Sequence, residues 1–189
     1  PNGNTYRISV KRETNSTPGV ASNYLHDGLR LGDEVTLYPP AGDFFYTEST
    51  TPLVLISAGV GLTPMQSIVE TLAKNAQQKG HTNHCPEIYY LHACNSTKEH
   101  SFKQRILELS STLPLQHHTW YANEAIEAPQ TYHGFMDISR IKTALPLYDG
   151  GFYICGPVSF MQYVKQQLIA LGVDNARIHY EIFGPHETL

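Results

Sequence analysis

Leu53-Val54-Leu55-Ile56-Ser57-Ala58-Gly59-Val60-Gly61-Leu62-Thr63-Pro64-Met65 reads as a buried strand, a glycine turn and a helix start. Its first four residues are apolar without alternation, as in a parallel-sheet strand covered on both faces. Gly59 and Gly61 allow a tight turn and leave room for a ligand to approach backbone N–H groups. Thr63 is expected to cap the helix, with Pro64 at its first position and Gln66 completing a Thr-x-x-Gln capping box. The N–H groups and dipole at such a helix start suit a pyrophosphate. The match to the dinucleotide fingerprint is partial, because Pro64 stands where the third glycine belongs. An ordinary strand-to-helix turn is the plain alternative.

Downstream, helical stripes alternate with short apolar runs. Met65, Ile68, Val69, Leu72, Ala73 and Ala76 share one helix face, and Gly80 follows as a stop. Ser96 and Glu99 suit a capping box before the stripe Phe102, Ile106, Leu109 and Leu113. Asp137 can cap a short helix that turns Ile138, Ile141 and Leu145 inward. Phe160, Val164, Leu168 and Leu171 stripe a last helix. Strands are expected near 53–58, 87–93, 115–121, 151–155 and 177–183. This predicts an α/β fold: a five-stranded parallel sheet with helices on both faces. Ligands of such sheets bind beyond the carboxyl ends of the strands, where strand order reverses. Two of those ends, Ala58-Gly59 and Cys155-Gly156, run into glycine, so one dinucleotide could span both if they meet there.

Upstream the texture differs. Tyr6 to Arg12 and Glu34 to Tyr38 alternate like half-buried strands, Val20 to Leu29 holds a short helix, and Ser49-Thr50-Thr51-Pro52 is linker-like. The expected division is residues 1–50 and residues 51–189. The turn Pro1-Asn2-Gly3-Asn4 leads straight into a strand, like the second arm of a hairpin, so the chain reads as part of something longer.

The chain has 189 residues, 41% of them hydrophobic, enough for a packed core. A net charge of −4 without a basic block argues against nucleic acid as a partner. No apolar run reaches membrane-spanning length. Cys85, Cys94 and Cys155 are odd in number and irregularly spaced, which favours a reducing, cytoplasmic compartment over a disulfide framework. No iron–sulfur spacing occurs. His81-x-x-His84-Cys85 has ligand types but reads as a surface loop, so no metal site is expected.

Ser57-Ala58-Gly59-Val60-Gly61-Leu62-Thr63-Pro64-Met65, Cys155-Gly156-Pro157 and Tyr180-Glu181-Ile182-Phe183-Gly184-Pro185-His186 resemble the ferredoxin–NAD(P)+ reductase superfamily, and more narrowly the reductase portion of bacterial flavohaemoglobins. Gly19-Val20-Ala21-Ser22-Asn23-Tyr24-Leu25-His26, Pro40-Ala41-Gly42-Asp43-Phe44-Phe45 and His118-Thr119-Trp120-Tyr121 extend the resemblance over essentially the whole chain. It implies a haem globin, an FAD-binding antiparallel β-barrel and an NAD-binding α/β domain in one parent. This chain would hold an incomplete piece of the barrel and the NAD domain. The haem b would sit in the globin, as partner in the same parent chain. Hydride would pass from NADH to FAD and electrons to haem, supporting oxidation of nitric oxide to nitrate. The family's Arg-x-Tyr-Ser segment would fall just before Pro1, so the chain alone is expected to carry little FAD.

The resemblance assigns residues. Gly59, Val60, Gly61, Leu62, Thr63 and Pro64 would cradle the NAD pyrophosphate, with Gly156 and Pro157 beside the nicotinamide. Cys155 and Glu181 would stand at the reacting end; their plain alternatives are a buried structural thiol and a solvated strand-end carboxylate. Gly19, Val20 and Ser22 would meet the FAD pyrophosphate, Ser22 also suiting a helix cap. Ile182, Phe183, Gly184 and Pro185 would close on the flavin, with Phe183 over its ring; a core aromatic is the alternative there. After the second strand of the α/β region no arginine awaits a 2′-phosphate, so NADH is expected over NADPH, with Lys98 the exception and no obvious ribose-binding acid. A reductase feeding an iron–sulfur or b-type haem partner, and a non-catalytic nucleotide-binding module, are the competing readings.

Overall fold

A computed structural model describes residues 3–14, 18–39, 42–47, 49–79 and 85–182. The chain divides into two compact units, Asn2–Asp43 and Phe44 onward.

In the first unit helix α1, Val20–Asp27, starts after Gly19. The stretch 10–13 is tied to it. Ser22 Oγ accepts from the Glu13 amide at 3.2 Å and donates to the Gly19 carbonyl at 3.2 Å. Asn23 Nδ2 donates to the Glu13 and Gly19 carbonyls, and Arg12 forms a bidentate pair with Asp27 at 2.7 Å. The strands expected at 6–12 and 34–38 do not form: both segments run without a ladder among the described residues. Alternation says which side chains share a face, not where a hydrogen-bonding neighbour will come from. Tyr6, Ile8 and Tyr38 are correspondingly exposed.

The second unit is built on an all-parallel sheet of β1 Leu53–Ala58, β2 Ile88–Cys94, β3 Leu115–Tyr121, β4 Thr131–His133, β5 Gly151–Cys155 and β6 Ile178–Glu181. Their order is β4-β3-β2-β1-β5-β6. The sheet thus has six strands, not five. The extra one, β4, is three residues long and half exposed, too short for its side chains to show a period. Helices α2 Leu62–Lys79 and α3 Lys103–Ser110 pack on one face around Leu53, Leu55, Met65, Val69, Ile106 and Leu109. Helix α4, Val158–Ala170, and the 3-10 turn Ile138–Ile141 cover the other around Val54, Ile56, Trp120, Phe152 and Ile154. The unbroken apolar runs of β1 and β5 follow from this double cover. Asp137 caps its turn as expected, accepting from the Ser139 amide.

Two capping expectations fail. Gly59–Gly61 forms a 3-10 turn that runs directly into α2, so Thr63 lies inside the helix instead of capping it. Gln66 donates forward to Glu70 at 3.0 Å, and its Oε1 has no partner among the described residues. Ser96 makes no side-chain cap; Glu99 instead accepts from Asn95 Nδ2, and α3 begins only after Phe102, whose φ is +58°.

Candidate functional site

The order of strands reverses at β1. It pairs with β2 on one side and with β5 on the other, Ser57 lying opposite His92 and Cys155. The two glycine-ended strands are therefore neighbours, and their carboxyl ends meet.

Their glycines differ in purpose. Gly59 is exposed with φ +53°, and a Cβ there would meet nothing within 4 Å. Gly61 is buried, and a Cβ there would stand 2.2 Å from the Cys155 carbonyl oxygen and 2.6 Å from the Gly156 amide nitrogen. At Gly61 the missing Cβ makes room for the neighbouring strand end. Gly156 completes the contact, since its own Cβ would lie 3.2 Å from both the amide nitrogen and the carbonyl oxygen of Ala58. A helix start leaves its first N–H groups without helical acceptors. In this chain those groups belong to the Gly59–Gly61 turn. Leu62 sends its side chain into the core, and Thr63 and Pro64 are half-buried in the first turn of α2.

Cys155 is fully buried, and Pro157 precedes α4 directly. Glu181 lies opposite Cys155 in the β5–β6 register and is half-buried. Burial first, and the Glu181 charge second, push the Cys155 thiol up to about 12. It is a neutral S–H at any physiological pH, beside a carboxylate.

Ile182 is half-buried and packs on the core of the α4 face. Phe183, Gly184 and Pro185 lie outside the described residues, as do His81 and His84. Gly19, Val20 and Ser22 share the start of α1. The Ser22 hydroxyl is already bonded to Gly19 and Glu13, and a Cβ on Gly19 would meet it at 2.7 Å. Val20 is exposed.

Beyond β2 the structure supplies what sequence reading did not find. Glu124 Oε2 accepts from the Thr97 amide at 2.9 Å, which sets a carboxylate against the loop that follows Cys94. Glu99 lies on the same loop, bonded to Asn95. Burial, then the charges of Glu99 and Glu124, push the Cys94 thiol up to about 11. Nothing in the spacing of 97 and 124 announces this pairing; it exists because β2 and β3 are neighbours, with Ala122 N donating to the Cys94 carbonyl. Among the described residues no three metal-ligating side chains converge, and no helix is long and apolar enough to cross a membrane.

With a parallel sheet, a reversal point and paired glycine turns in place, the chain belongs to the family of oxidoreductase NAD-binding domains, whose signature matches residues 55–166. It is 52% identical over 190 residues to a flavohemoprotein of Vibrio cholerae serotype O1, an alignment that takes in 100% of this chain and 45% of that protein. The chain thus spans under half the length of this relative. It is also similar to the crystal structure of the flavohem-like FAD/NAD binding domain of nitric oxide dioxygenase from Vibrio cholerae O1 biovar El Tor, with TM-score 0.81 and 50% identity, covering 93% of this chain and 70% of that one. A flavohemoglobin from Malassezia yamatoensis with bound FAD and haem matches at TM-score 0.65 and 27% identity over 81% of this chain and 39% of that one. The resemblance read from the sequence is borne out.

Proposed function

We propose that this chain binds NADH at the reversal between β1 and β5 and serves as the reductase part of a longer flavohaemoglobin-type protein of the cytoplasm. The observation that carries the reading is the closure of the two glycine ends, with Gly61 seated on the Cys155 carbonyl. When bound, NADH would supply the hydride and FAD would take it up, and in the longer protein electrons would go on singly to a globin haem, where nitric oxide, O2 and one electron would give nitrate.

The chain's own residues bind and orient. The Gly59–Gly61 amides and the α2 dipole hold the pyrophosphate, and Leu62, Thr63 and Pro64 fix that helix start. Gly156 and Pro157 let the nicotinamide come close. Cys155, buried beneath the turn, is an uncharged thiol that neither gives nor takes a proton at neutral pH. Glu181 places a negative charge at the same rim. Gly19 and Val20 present α1 amides to the FAD pyrophosphate, and Ser22 holds that turn in shape. Ile182 leads to Phe183, Gly184 and Pro185, which close on the flavin. Glu124 and Glu99 make the adenosine end unwelcoming to a 2′-phosphate, so NADH binds more tightly than NADPH. Glu124→Gln keeps an acceptor for Thr97 and removes the charge; parallel fluorescence titrations should show the gap between the two dinucleotides narrowing about tenfold. An unchanged ratio removes Glu124 from that role.

The whole reading is tested by mixing the FAD-loaded full-length protein with NADH in a stopped-flow cell without O2. Flavin absorbance should bleach, with haem reduction following. If it does not bleach, the reading is wrong. Glu181→Gln should shift the flavin midpoint potential and the rate of haem reduction while NADH affinity holds; about 60 mV per electron corresponds to a tenfold change in the equilibrium. If potential and rate both stay, Glu181 is a solvated strand end.

A further inference from the structure

One row of side chains crosses the whole sheet at the level of the carboxyl end of β1. In register, from edge to edge, stand Thr131, Thr119, His92, Ser57, Cys155 and Glu181. Lower on the same face β1 contributes Leu53 and Leu55, and β2 contributes Ile88 and Tyr90. On β1 this face turns polar at Ser57, the residue before Ala58 and two before Gly59. The centre of the row is dry: Ser57 is 0% exposed and His92 1%. Ser57 Oγ and His92 Nδ1 share a hydrogen bond of 2.9 Å. The His92 ring lies 4.8 Å from that of His100, whose Nδ1 meets the Tyr121 hydroxyl at 2.8 Å.

Stability alone does not account for His92. Its Nε2 has no hydrogen-bond partner among the described residues. A buried polar atom left so costs free energy that an apolar side chain of similar shape avoids. What the imidazole does supply is a fixed partner for Ser57. Only Ala58 separates Ser57 from the turn, and Ala58 is also the backbone against which Gly156 packs. A sideways movement of Ser57 reaches both glycine ends at once.

We propose that His92 is a positioning residue for the dinucleotide turn: through Ser57 it fixes the carboxyl end of β1, from which Gly59–Gly61 springs. The inference rests on the dinucleotide reading above. It makes hydrogen bonding and ring stacking at position 92 separable. His92→Phe keeps a ring against His100 and loses the bond to Ser57. His92→Asn loses the ring and keeps a polar atom near the place of Nδ1.

The test is NADH titration and urea unfolding of the chain and both variants. For His92→Phe the NADH dissociation constant should rise about tenfold with the urea midpoint equal or higher. For His92→Asn the midpoint should fall, with affinity kept within about threefold. If His92→Phe binds NADH as the unsubstituted chain does, or if affinity simply follows stability, the pair is core packing and the proposal is overturned. Should His92→Phe fail to fold, Ser57→Ala carries the same test, and an unchanged dissociation constant overturns it. Failure of the unsubstituted chain to bind NADH overturns the dinucleotide reading itself, and this inference with it.

Discussion

Gly61→Ala is expected to destabilise the NAD-binding unit by about 3 kcal/mol or more, at the upper end of what overpacking costs. The added carbon would stand 2.2 Å from the Cys155 carbonyl oxygen and 2.4 Å from its carbonyl carbon. Neither atom is the free end of a side chain. Both belong to the strand that pairs with β1, so relief requires the two central strands to separate at their carboxyl ends. Gly59→Ala should behave in the opposite way. Nothing crowds a Cβ there, and the cost is that of holding alanine at φ +53°, about 1 to 2 kcal/mol. Its larger effect should be on NADH, because the methyl group occupies the open side of the turn. Urea unfolding and NADH titration of the two variants should therefore diverge: Gly61→Ala losing midpoint, Gly59→Ala losing affinity. A Gly61→Ala protein with the original midpoint would mean that the two strand ends are not in contact.

Acid should weaken the fold well above the range in which carboxylates titrate. Burial first, then the nearby His100, lowers His92 to about 3, and burial with Lys103 and His117 lowers His100 to about 4. Both histidines are bound to fewer protons when folded than when unfolded. Their contribution is complete above about pH 6.5 and is lost as the pH falls from there towards those lowered values. Each depressed histidine contributes a slope of up to about 1.4 kcal/mol per pH unit inside the window, so the fully buried His92 alone costs about 2 kcal/mol between pH 6.5 and pH 5. Urea midpoints at pH 7.5 and pH 5 should show the drop, and His92→Phe should remove roughly that share of it. An identical pH dependence in the variant would show that His92 accepts a proton without strain to the fold.

Much of the site was readable because its signals are local. The apolar run before Gly59, the stripe of α2 and the glycine after Cys155 each report on their own neighbourhood, and the reversal rule then brings two of them together. What escaped reading depends on partners far along the chain. That Gly61 must also clear the end of β5 could not be read without knowing that β5 lies beside it. Glu124 reaches the Thr97 amide after β2 only because β3 runs next to β2. The row through His92 and Ser57 needs the register of six strands. Alternation at 6–12 and 34–38 was genuine, yet a strand is also a relation to a neighbour, and periodicity cannot supply one. The Thr63 capping box failed for a nearer reason: the 3-10 turn at Gly59–Gly61 runs directly into α2 and took over the cap's task.

The buried thiol of Cys155 has a chemical consequence of its own. Oxidants and alkylating agents attack thiolates, and a thiol held up to about 12 supplies almost none. A sulfur can thus sit at the carboxyl end of β5 without offering peroxide a thiolate to attack. The same carboxylate that borders it, Glu181, adds to that protection by repelling a second negative charge. Corrosion resistance, in this corner, is a by-product of strand register.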